Sequence, residues 1–215
     1  MKQVDKNAYN FERYSHKARW VSYYHQLDEV LKYDPKSILE VGVGDVVFAN
    51  YIKSVTDISY LSVDVADDLK PDIVASAESI PVSDQSYDAV CAFEVFEHMP
   101  FEKFEICLKE MKRIARRAVI ISVPHFGPAL KLLLKIPFLP EFALALKIPF
   151  PTNHQWNGQH YWEIGKRGYS LGKIREILKK DYHIKKDFIP FENQYHHFFV
   201  LEPKEVIKNN DEKTT

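Results

Sequence analysis

The chain has 215 residues, 46% hydrophobic and 27% charged, which is enough to bury one sizeable core and fits one α/β domain. Its 29 basic and 30 acidic residues leave a formal net charge of −1, so nucleic acid and anionic bilayers are not expected as partners. The first residues lack the apolar core of a signal peptide, and no run of 18 uncharged apolar residues exists. We therefore expect a cytoplasmic protein.

Helical and extended patterns alternate along the first two thirds of the chain. Apolar residues at helical intervals predict a leading helix over 11–31, which Asp34-Pro35 would end. Short apolar runs predict strands over 38–41, 60–63, 72–74, 87–92 and 118–123. A helix over 101–114 would lie between the last two of these strands. Such alternation is typical of a parallel sheet covered by helices on both faces.

The last third of the chain predicts a helix and a hairpin. Residues 170–179 have a helical pattern, with Ser170 as N-cap. Two further strands, over 182–189 and 196–201, are joined by a connection short enough for an antiparallel hairpin. The fold class is therefore α/β: a seven-stranded, mostly parallel sheet with helices on both faces and a C-terminal antiparallel hairpin. We expect one domain over 1–203 and a frayed tail over 204–215.

A glycine turn and a distant aspartate predict a nucleoside site. Gly42 and Gly44 follow the first strand, where glycine lets backbone N–H groups approach a ligand. Asp64 comes 20 positions after Gly44 (64 − 44), a distance suited to a carboxylate that holds the hydroxyls of a ribose. The alternatives are ordinary turn glycines and an aspartate that caps the next turn.

Two residues argue against a dinucleotide at this turn. The third fingerprint glycine would be at position 47, which is Val47. Glu40 stands just before the glycines, where it would repel pyrophosphate and suit a cationic ligand. A nicotinamide oxidoreductase that binds NAD(P) stays as an alternative, and so does a polar strand end with no ligand at Glu40.

The ordered motifs resemble one enzyme family. Leu39-Glu-Val-Gly-Val-Gly44, Asp64, Ala77-Glu-Ser-Ile-Pro81 and Ser86–His98 occur in the order and at the intervals of class I S-adenosylmethionine (SAM)-dependent methyltransferases, type 11 domain. The resemblance covers roughly residues 35–123. It implies a Rossmann-like fold and an enzyme (EC 2.1.1.-) that transfers a methyl group from SAM to a small, apolar or aromatic acceptor, releasing S-adenosylhomocysteine (SAH).

The resemblance also implies a set of cofactor-binding residues. These are Glu40, Gly42, Gly44, Asp64, Ala77, Glu78, Phe93 and Glu94. Two positions depart from the family pattern, because Val46 replaces a usual glycine and Ser76 a usual aspartate that faces the adenine amino group. The departures suggest a different turn and a rearranged adenine contact. They keep open a SAM- or SAH-binding protein without transfer, and a protein-modifying or scaffold role is a further alternative.

Histidines are the candidates for a catalytic base. If the acceptor is a hydroxyl or phenol, His125, His154 and His160 could accept its proton or orient it. The alternative is a packed Trp/Tyr loop whose histidines bond backbone groups. We expect no metal, because His154 and His160 have no partner at helical spacing. His98 is interpreted as a structural residue.

An apolar, proline-rich insertion follows the fifth predicted strand. Residues 126–151 hold five prolines and ten Leu or Phe residues from Leu130 to Phe150, and 126–162 is treated as an insertion or lid within the domain. The prolines should break it into pieces of one to three helical turns. Three interpretations stay open: a lid over an apolar substrate, a homodimer interface, and a peripheral membrane contact.

Overall fold

The computed structural model describes residue 9, residue 11 and residues 14–205, and its centre is a seven-stranded sheet. The strands are β1 (Ser37–Val41), β2 (Ser59–Asp64), β3 (Ile73–Val74), β4 (Tyr87–Phe93), β5 (Ala115–Pro124), β6 (Ala129–Leu134), β7 (Phe142–Lys147), β8 (Tyr182–Phe188) and β9 (His196–Pro203). The α-helices are α1 (Lys17–Leu31), α2 (Val47–Val55), α3 (Phe104–Ile114) and α4 (Leu171–Asp181). Short 3₁₀ turns occur at Asp67–Leu69, Phe96–His98 and Phe101–Lys103.

The strand order is β3-β2-β1-β4-β5-β9-β8, while β6 and β7 form a separate pair. The first five strands are parallel, and β9 is antiparallel to both β5 and β8. This confirms the predicted α/β fold with its C-terminal antiparallel hairpin. Ser170 is the N-cap of α4, where its hydroxyl accepts from the Lys173 amide at 3.2 Å.

Alternating residues of each central strand pack on opposite faces of the sheet. In β1, Ile38 joins a cluster with Phe48 and Ile52 of α2, on the side that α1 also covers. Leu39 joins the larger cluster, which includes Met111 of α3 and residues of α4. Because both faces are buried, the strands consist of nearly continuous apolar residues, which made them recognisable in the sequence.

Three predicted segments differ from the structure. The leading helix begins at Lys17 rather than Phe11, and residues 12 and 13 lie outside the described part of the chain. The segment 101–103 is a 3₁₀ turn that precedes α3. Of the predicted tail 204–215, residues 206–215 also lie outside the described part. Among the described residues, no helix is both long enough and apolar enough to cross a membrane.

The insertion forms a β-hairpin, so the prediction of short helical pieces was wrong. β6 pairs antiparallel with β7, with Leu132 opposite Leu144. Apolar side chains occupy both faces and are mostly exposed; Leu133 and Phe142, for example, expose 52% and 53% of their surface. Leucine on both faces removes the polar alternation by which a strand is recognised, which explains the wrong prediction.

A chain of polar side chains joins the C-terminal hairpin to the end of β5. His125 Nδ1 lies 2.8 Å from His197 Nδ1, and His197 Nε2 lies 2.6 Å from Asp187 Oδ1. The Arg175 guanidinium donates to the other oxygen of Asp187. Burial, with the neighbouring His197 ring, lowers the pKa of His125 to about 3, so that this ring is neutral near pH 7.

The buried His125 ring should make stability depend on pH. The unfolded ring binds a proton below about pH 6.5, whereas the folded ring resists it until about pH 3. The destabilising effect of this ring is therefore absent above pH 6.5 and grows as the pH falls toward 3. Urea unfolding between pH 6.5 and 4.5 measures how the free energy of unfolding depends on pH. His125→Gln should reduce this dependence, by a part of the roughly 1.4 kcal/mol per pH unit that the binding of one proton represents.

The exposed His183 provides the control for this measurement. The His183→Gln protein should keep the wild-type slope. Equal slopes in the His125→Gln and wild-type proteins would show that this ring protonates without resistance from the fold.

The turn between β1 and α2 contains a valine in a left-handed conformation. Val46 has φ 60° and ψ 14°, and its amide donates to the Val43 carbonyl at 2.9 Å. The turn thus keeps the conformation that glycine adopts freely, contrary to the expectation of a different turn. For a β-branched residue this conformation is strained by about 1–2 kcal/mol.

Val46→Gly should therefore raise the free energy of unfolding by up to about 1 kcal/mol, after the greater flexibility of glycine in the unfolded chain is subtracted. Val47→Gly, one residue later at the start of α2, should lower it by about 1 kcal/mol, because that residue is helical. Urea unfolding of the two variants measures both effects. A loss of stability in Val46→Gly as large as that in Val47→Gly would contradict the strain.

Candidate functional site

A cavity of about 700 Å³ opens at the carboxyl ends of β1, β2 and β4. β1 lies between β2 and β4, so the chain leaves it in one direction along the sheet and later returns on its other side. Ligands of open α/β sheets bind at such a reversal, and the volume lies within the roughly 300–1,000 Å³ usual for small-molecule sites. Of the predicted cofactor-binding residues, seven line the cavity: Gly42, Gly44, Asp64, Ala77, Glu78, Phe93 and Glu94.

The glycine turn lets the backbone form one wall of this cavity. Gly42 has φ +82°, and a Cβ at this position would collide with the side chain of Val95. Its amide donates to the Val63 carbonyl at 2.7 Å, which fixes the turn to the end of β2. Gly42 is therefore needed both for its conformation and for the space it leaves.

Asp64, at the end of β2, is held by two backbone amides. Its Oδ2 accepts from the Val43 amide at 3.0 Å, and its Oδ1 accepts from the Ala66 amide at 2.8 Å. Each carboxylate oxygen keeps a second lone pair. The carboxylate is thus fixed in orientation and can still accept from two hydroxyl groups in the cavity.

The loop after β3 forms a second edge of the cavity. The Glu78 amide donates to the Ser76 hydroxyl at 3.3 Å, and the Glu78 carboxylate pairs with Lys103 Nζ at 2.6 Å. With its carboxylate paired in this way, Glu78 offers mainly backbone to a ligand, as does Ala77. Ser76 also lines the cavity but supports the loop through this hydrogen bond.

Glu40 does not line the cavity. It shares a face of β1 with Ile38, and its carboxyl accepts a hydrogen bond from the Tyr60 hydroxyl. Burial raises the pKa of Glu40 to about 8. The alternation of β1 directs the side chain toward Tyr60, and a direct contact of Glu40 with a cationic ligand stays a prediction.

Two other carboxyl groups lie at the cavity. Glu94 and Glu97 are buried, and Glu94 Oε1 and Glu97 Oε2 have no hydrogen-bond partner. Burial raises the pKa of Glu94 to about 7 and raises that of Glu97 well above its usual range. Such unpartnered oxygens suit a cationic or hydrogen-donating ligand. Sequence analysis identified Glu94 but missed Glu97.

Residues near the N-terminus contribute to the opposite wall. Tyr9, Tyr14 and Arg19 line the cavity. The Arg19 guanidinium lies over the Tyr14 ring, 4.0 Å from its centroid, and donates to the Tyr14 hydroxyl at 3.1 Å. Arg19 Nε is buried without a partner. The helical pattern of α1 did not reveal which of its residues would face the cavity.

The three candidate histidines separate in the structure. His160 lines the cavity, whereas His125 is buried against His197 and His154 lies in a neighbouring groove with Trp156 and Arg167. His98, interpreted as structural, also lines the cavity. Of the three candidates for a base, His160 alone thus lies where an acceptor could reach it.

His160 is held in position by Glu163 and Tyr195. Its Nδ1 lies 2.9 Å from Glu163 Oε1, and the Tyr195 hydroxyl donates to the same oxygen at 2.7 Å. The bond to His160 helps to lower the pKa of Glu163, although its burial opposes this. Because a carboxylate only accepts, Nδ1 carries the proton and Nε2 has a free lone pair.

The segment that carries His160 has no regular structure, and hydrogen bonds attach it to the turn after β4. The Tyr161 amide donates to the Glu97 carbonyl at 2.7 Å, and Trp162 Nε1 donates to the Phe96 carbonyl at 3.0 Å. Trp162 is fully buried. These contacts join residues more than 60 positions apart, so single-sequence reasoning could not place His160 beside the strand ends.

Comparisons with known proteins agree with this geometry. Residues 39–123 match the family model of a methyltransferase domain. None of the curated protein sequences matches the chain. The N-methyltransferase NodS of Bradyrhizobium japonicum, solved with SAH, is 8% identical with a TM-score of 0.59, covering 94% of this chain and 95% of NodS.

Two further solved structures have the same fold. A Burkholderia thailandensis 1,6-didemethyltoxoflavin-N1-methyltransferase, solved with SAH, is 12% identical with a TM-score of 0.54, covering 94% of each chain. The small RNA methyltransferase HEN1 is 10% identical with a TM-score of 0.61, covering 96% of this chain and 27% of that one. Together with the match over residues 39–123, the sheet order shows that this chain has the fold of class I SAM-dependent methyltransferases.

Proposed function

We propose that this chain binds SAM in the strand-end cavity and transfers its methyl group to a small-molecule acceptor. The observation that carries the proposal is the cavity at the β1–β4 reversal, where the Gly42 turn and the fixed Asp64 carboxylate meet. Asp64 would accept from the ribose hydroxyls. Ala77 and Glu78 would contact the adenine through their backbone, and Gly42 and Gly44 would leave room for the methionine portion.

The charges around the cavity suit such a cofactor. SAM supplies a methyl group on a sulfonium, which is a good leaving group, and its amino-acid end carries an ammonium and a carboxylate. The Glu94 carboxyl lines the cavity, and its unpartnered oxygen can accept from the ammonium. The Arg19 guanidinium, with its unpartnered Nε, can donate to the carboxylate.

The protein's own task is positioning. The walls of the cavity orient the acceptor in line with the methyl group and exclude water, with Tyr14, Tyr161 and Tyr195 supplying aromatic surface. For a hydroxyl acceptor, the free Nε2 of His160 is the group placed to act on its oxygen or proton.

The alternatives have less support. A dinucleotide site would be expected to have a third glycine at position 47, which is Val47. A binding protein without transfer was suggested by Val46 and Ser76. However, Val46 keeps the left-handed turn, and Ser76 supports its loop through Glu78.

The net charge of the chain bears on the class of methyl acceptor. Among the related folds, two enzymes are named for N-methylation and one for small RNA, so the fold leaves the acceptor open. A net charge of −1 does not favour a polyanion, which supports a small molecule. A cytoplasmic location stays a prediction.

Binding of the cofactor tests the proposal directly. SAH should raise the melting temperature and NAD should not, because a ligand that binds only the folded state stabilises it. Asp64→Ala should weaken SAH binding by about 1–3 kcal/mol, the usual loss for a hydrogen bond to a charged group. Isothermal titration calorimetry measures this affinity.

Asp67→Ala is the matched control, since Asp67 lies three residues further along and does not line the cavity. It should bind SAH as the wild type does. A shift with NAD alone would overturn the cofactor assignment. Wild-type affinity in a folded Asp64→Ala protein would remove the ribose role.

The β6–β7 hairpin needs a different explanation. None of its described residues lines the cavity, so an acceptor lid, if the hairpin is one, must close by movement. Its exposed leucines equally suit a second copy of the chain or a membrane surface. All three interpretations stay open.

Replacing Leu132, Leu133 and Leu134 with serine should leave SAH affinity and melting temperature nearly unchanged, because these side chains are about half exposed and lie outside the cavity. For a dimer interface, the mass measured by light scattering should halve; for a membrane contact, sedimentation with liposomes should cease. A fall in acceptor turnover alone would identify a lid.

Ala143→Ser on β7 is the control. A large loss of SAH binding would contradict the separation of hairpin and cavity.

A further inference from the structure

Three metal-ligating side chains meet at the acceptor side of the cavity. Glu97 and His98 belong to the 3₁₀ turn after β4, and His160 comes from the segment before α4. One donor atom from each lies within 4.8 Å of the other two. The expectation of no metal rested on the lack of a partner for His160 at helical spacing, whereas its partners come from a distant turn.

The hydrogen bonds of both histidines leave the same nitrogen free. His98 Nδ1 lies 3.1 Å from the Gln159 carbonyl, and His160 Nδ1 lies 2.9 Å from the Glu163 carboxylate. Carbonyl and carboxylate oxygens only accept, so both Nδ1 atoms carry the proton. Each Nε2 therefore presents a lone pair, the form in which imidazole binds a metal.

The third donor is the Glu97 carboxyl, whose Oε1 lies 3.9 Å from His98 Nε2 and whose Oε2 lacks a partner. Glu97 is 1% exposed, and its Oε2 makes no hydrogen bond. An unpartnered oxygen at this depth is unfavourable unless a cation or donor meets it. Glu94, which lines the same cavity and also has an unpartnered oxygen, adds a second carboxyl group nearby.

Around His160 the structure contains the support that metal-binding histidines usually have. Glu163 accepts from its Nδ1 and is itself held by the Tyr195 hydroxyl. A carboxylate behind the histidine fixes the ring and makes its other nitrogen a better ligand. The proposed ligand His160 is thus supported from behind by Glu163 and Tyr195. A chance cluster on the surface would not need such support.

We propose that Glu97, His98 and His160 bind one divalent first-row transition metal, with open coordination positions facing the cavity. Two imidazoles and a carboxylate are a ligand set typical of Zn²⁺, Fe²⁺ and related ions. Small side-chain movements suffice, because ligands at about 2.0–2.2 Å from a metal lie roughly 3–3.5 Å apart. The open positions would take an oxygen of the methyl acceptor.

The use of this metal rests on the proposed methyl transfer, whereas its binding does not. A hydroxyl oxygen bound to a divalent cation loses its proton more readily. That proton leaves to water, because the metal occupies the His160 Nε2 lone pair, which then no longer serves as a base. The oxygen then forms a bond to the methyl carbon while the bond from that carbon to sulfur breaks. The sulfonium becomes the neutral thioether of SAH. The substrate class is thus a hydroxyl-bearing acceptor, and the reaction an O-methylation.

Cobalt is a suitable probe, because Co²⁺ gives a visible spectrum that reports its ligands. Full-length protein stripped with a chelator should bind one Co²⁺ per chain, in the absence of SAH. Glu97→Gln and His160→Gln should each weaken binding by at least 10-fold. The exposed His183→Gln should bind as the wild type does. Melting curves and SAH titration show whether each variant is folded.

Two measurements on the wild type do not depend on the variants. Pulsed EPR of the Mn²⁺-loaded protein should show coupling to two histidine nitrogens. Acetohydroxamate, a small oxygen chelator, should change the Co²⁺ spectrum by occupying the open positions.

No stoichiometric Co²⁺ binding, or Mn²⁺ without nitrogen coupling, would overturn the metal site. Metal binding with no response to acetohydroxamate would overturn its use for the acceptor. A protein that binds the metal but not SAH would contradict the proposed function and leave the metal site standing, so the two failures can be told apart.

Discussion

The pairing of β1 with both β2 and β4 determines where the site of this molecule lies. Because the chain turns to opposite sides of β1, the connections after β1 and β4 diverge and leave an opening above the strand ends. Gly42 makes the opening usable, since a side chain there would meet Val95. The position of Asp64, and of the turn that carries Glu97 and His98, follows from this one arrangement.

Buried carboxyl groups are the second determinant, and the fold places them asymmetrically. Glu40 accepts from the Tyr60 hydroxyl on the face of the sheet that α2 covers, and it does not line the cavity. Glu94 and Glu97 lie at the end of β4 instead, with oxygens that the protein itself leaves without partners. Buried oxygens without partners are unfavourable unless a ligand completes their hydrogen bonding. A ligand that donates to Glu94 and Glu97 would therefore gain binding free energy at this place.

The sequence predicted the central sheet well because its strands are buried on both faces and consist of short apolar runs. It also predicted that Gly42, Gly44 and Asp64 would meet in one half of the cavity, since they lie on consecutive strand ends at fixed spacing. The other half could not be predicted in this way. Arg19, His160 and Tyr195 come from three distant parts of the chain, and only the folded sheet brings them together. The hairpin failed for a local reason, because leucine on both faces gives no period of two.

The attachment of His160 implies that the two halves of the cavity differ in their resistance to local opening. The half that contains Gly42, Gly44 and Asp64 is attached to the ends of β1 and β2. The other half depends on a segment without regular structure, held by the buried Trp162 ring and by hydrogen bonds to the turn after β4. Segments with few backbone bonds of their own open at lower free energy than the core. Amides around residues 153–161 should therefore exchange with solvent through a local opening that does not need the whole protein to unfold. In that opening the cavity loses the wall that carries His160, while the wall that carries Asp64 stays intact.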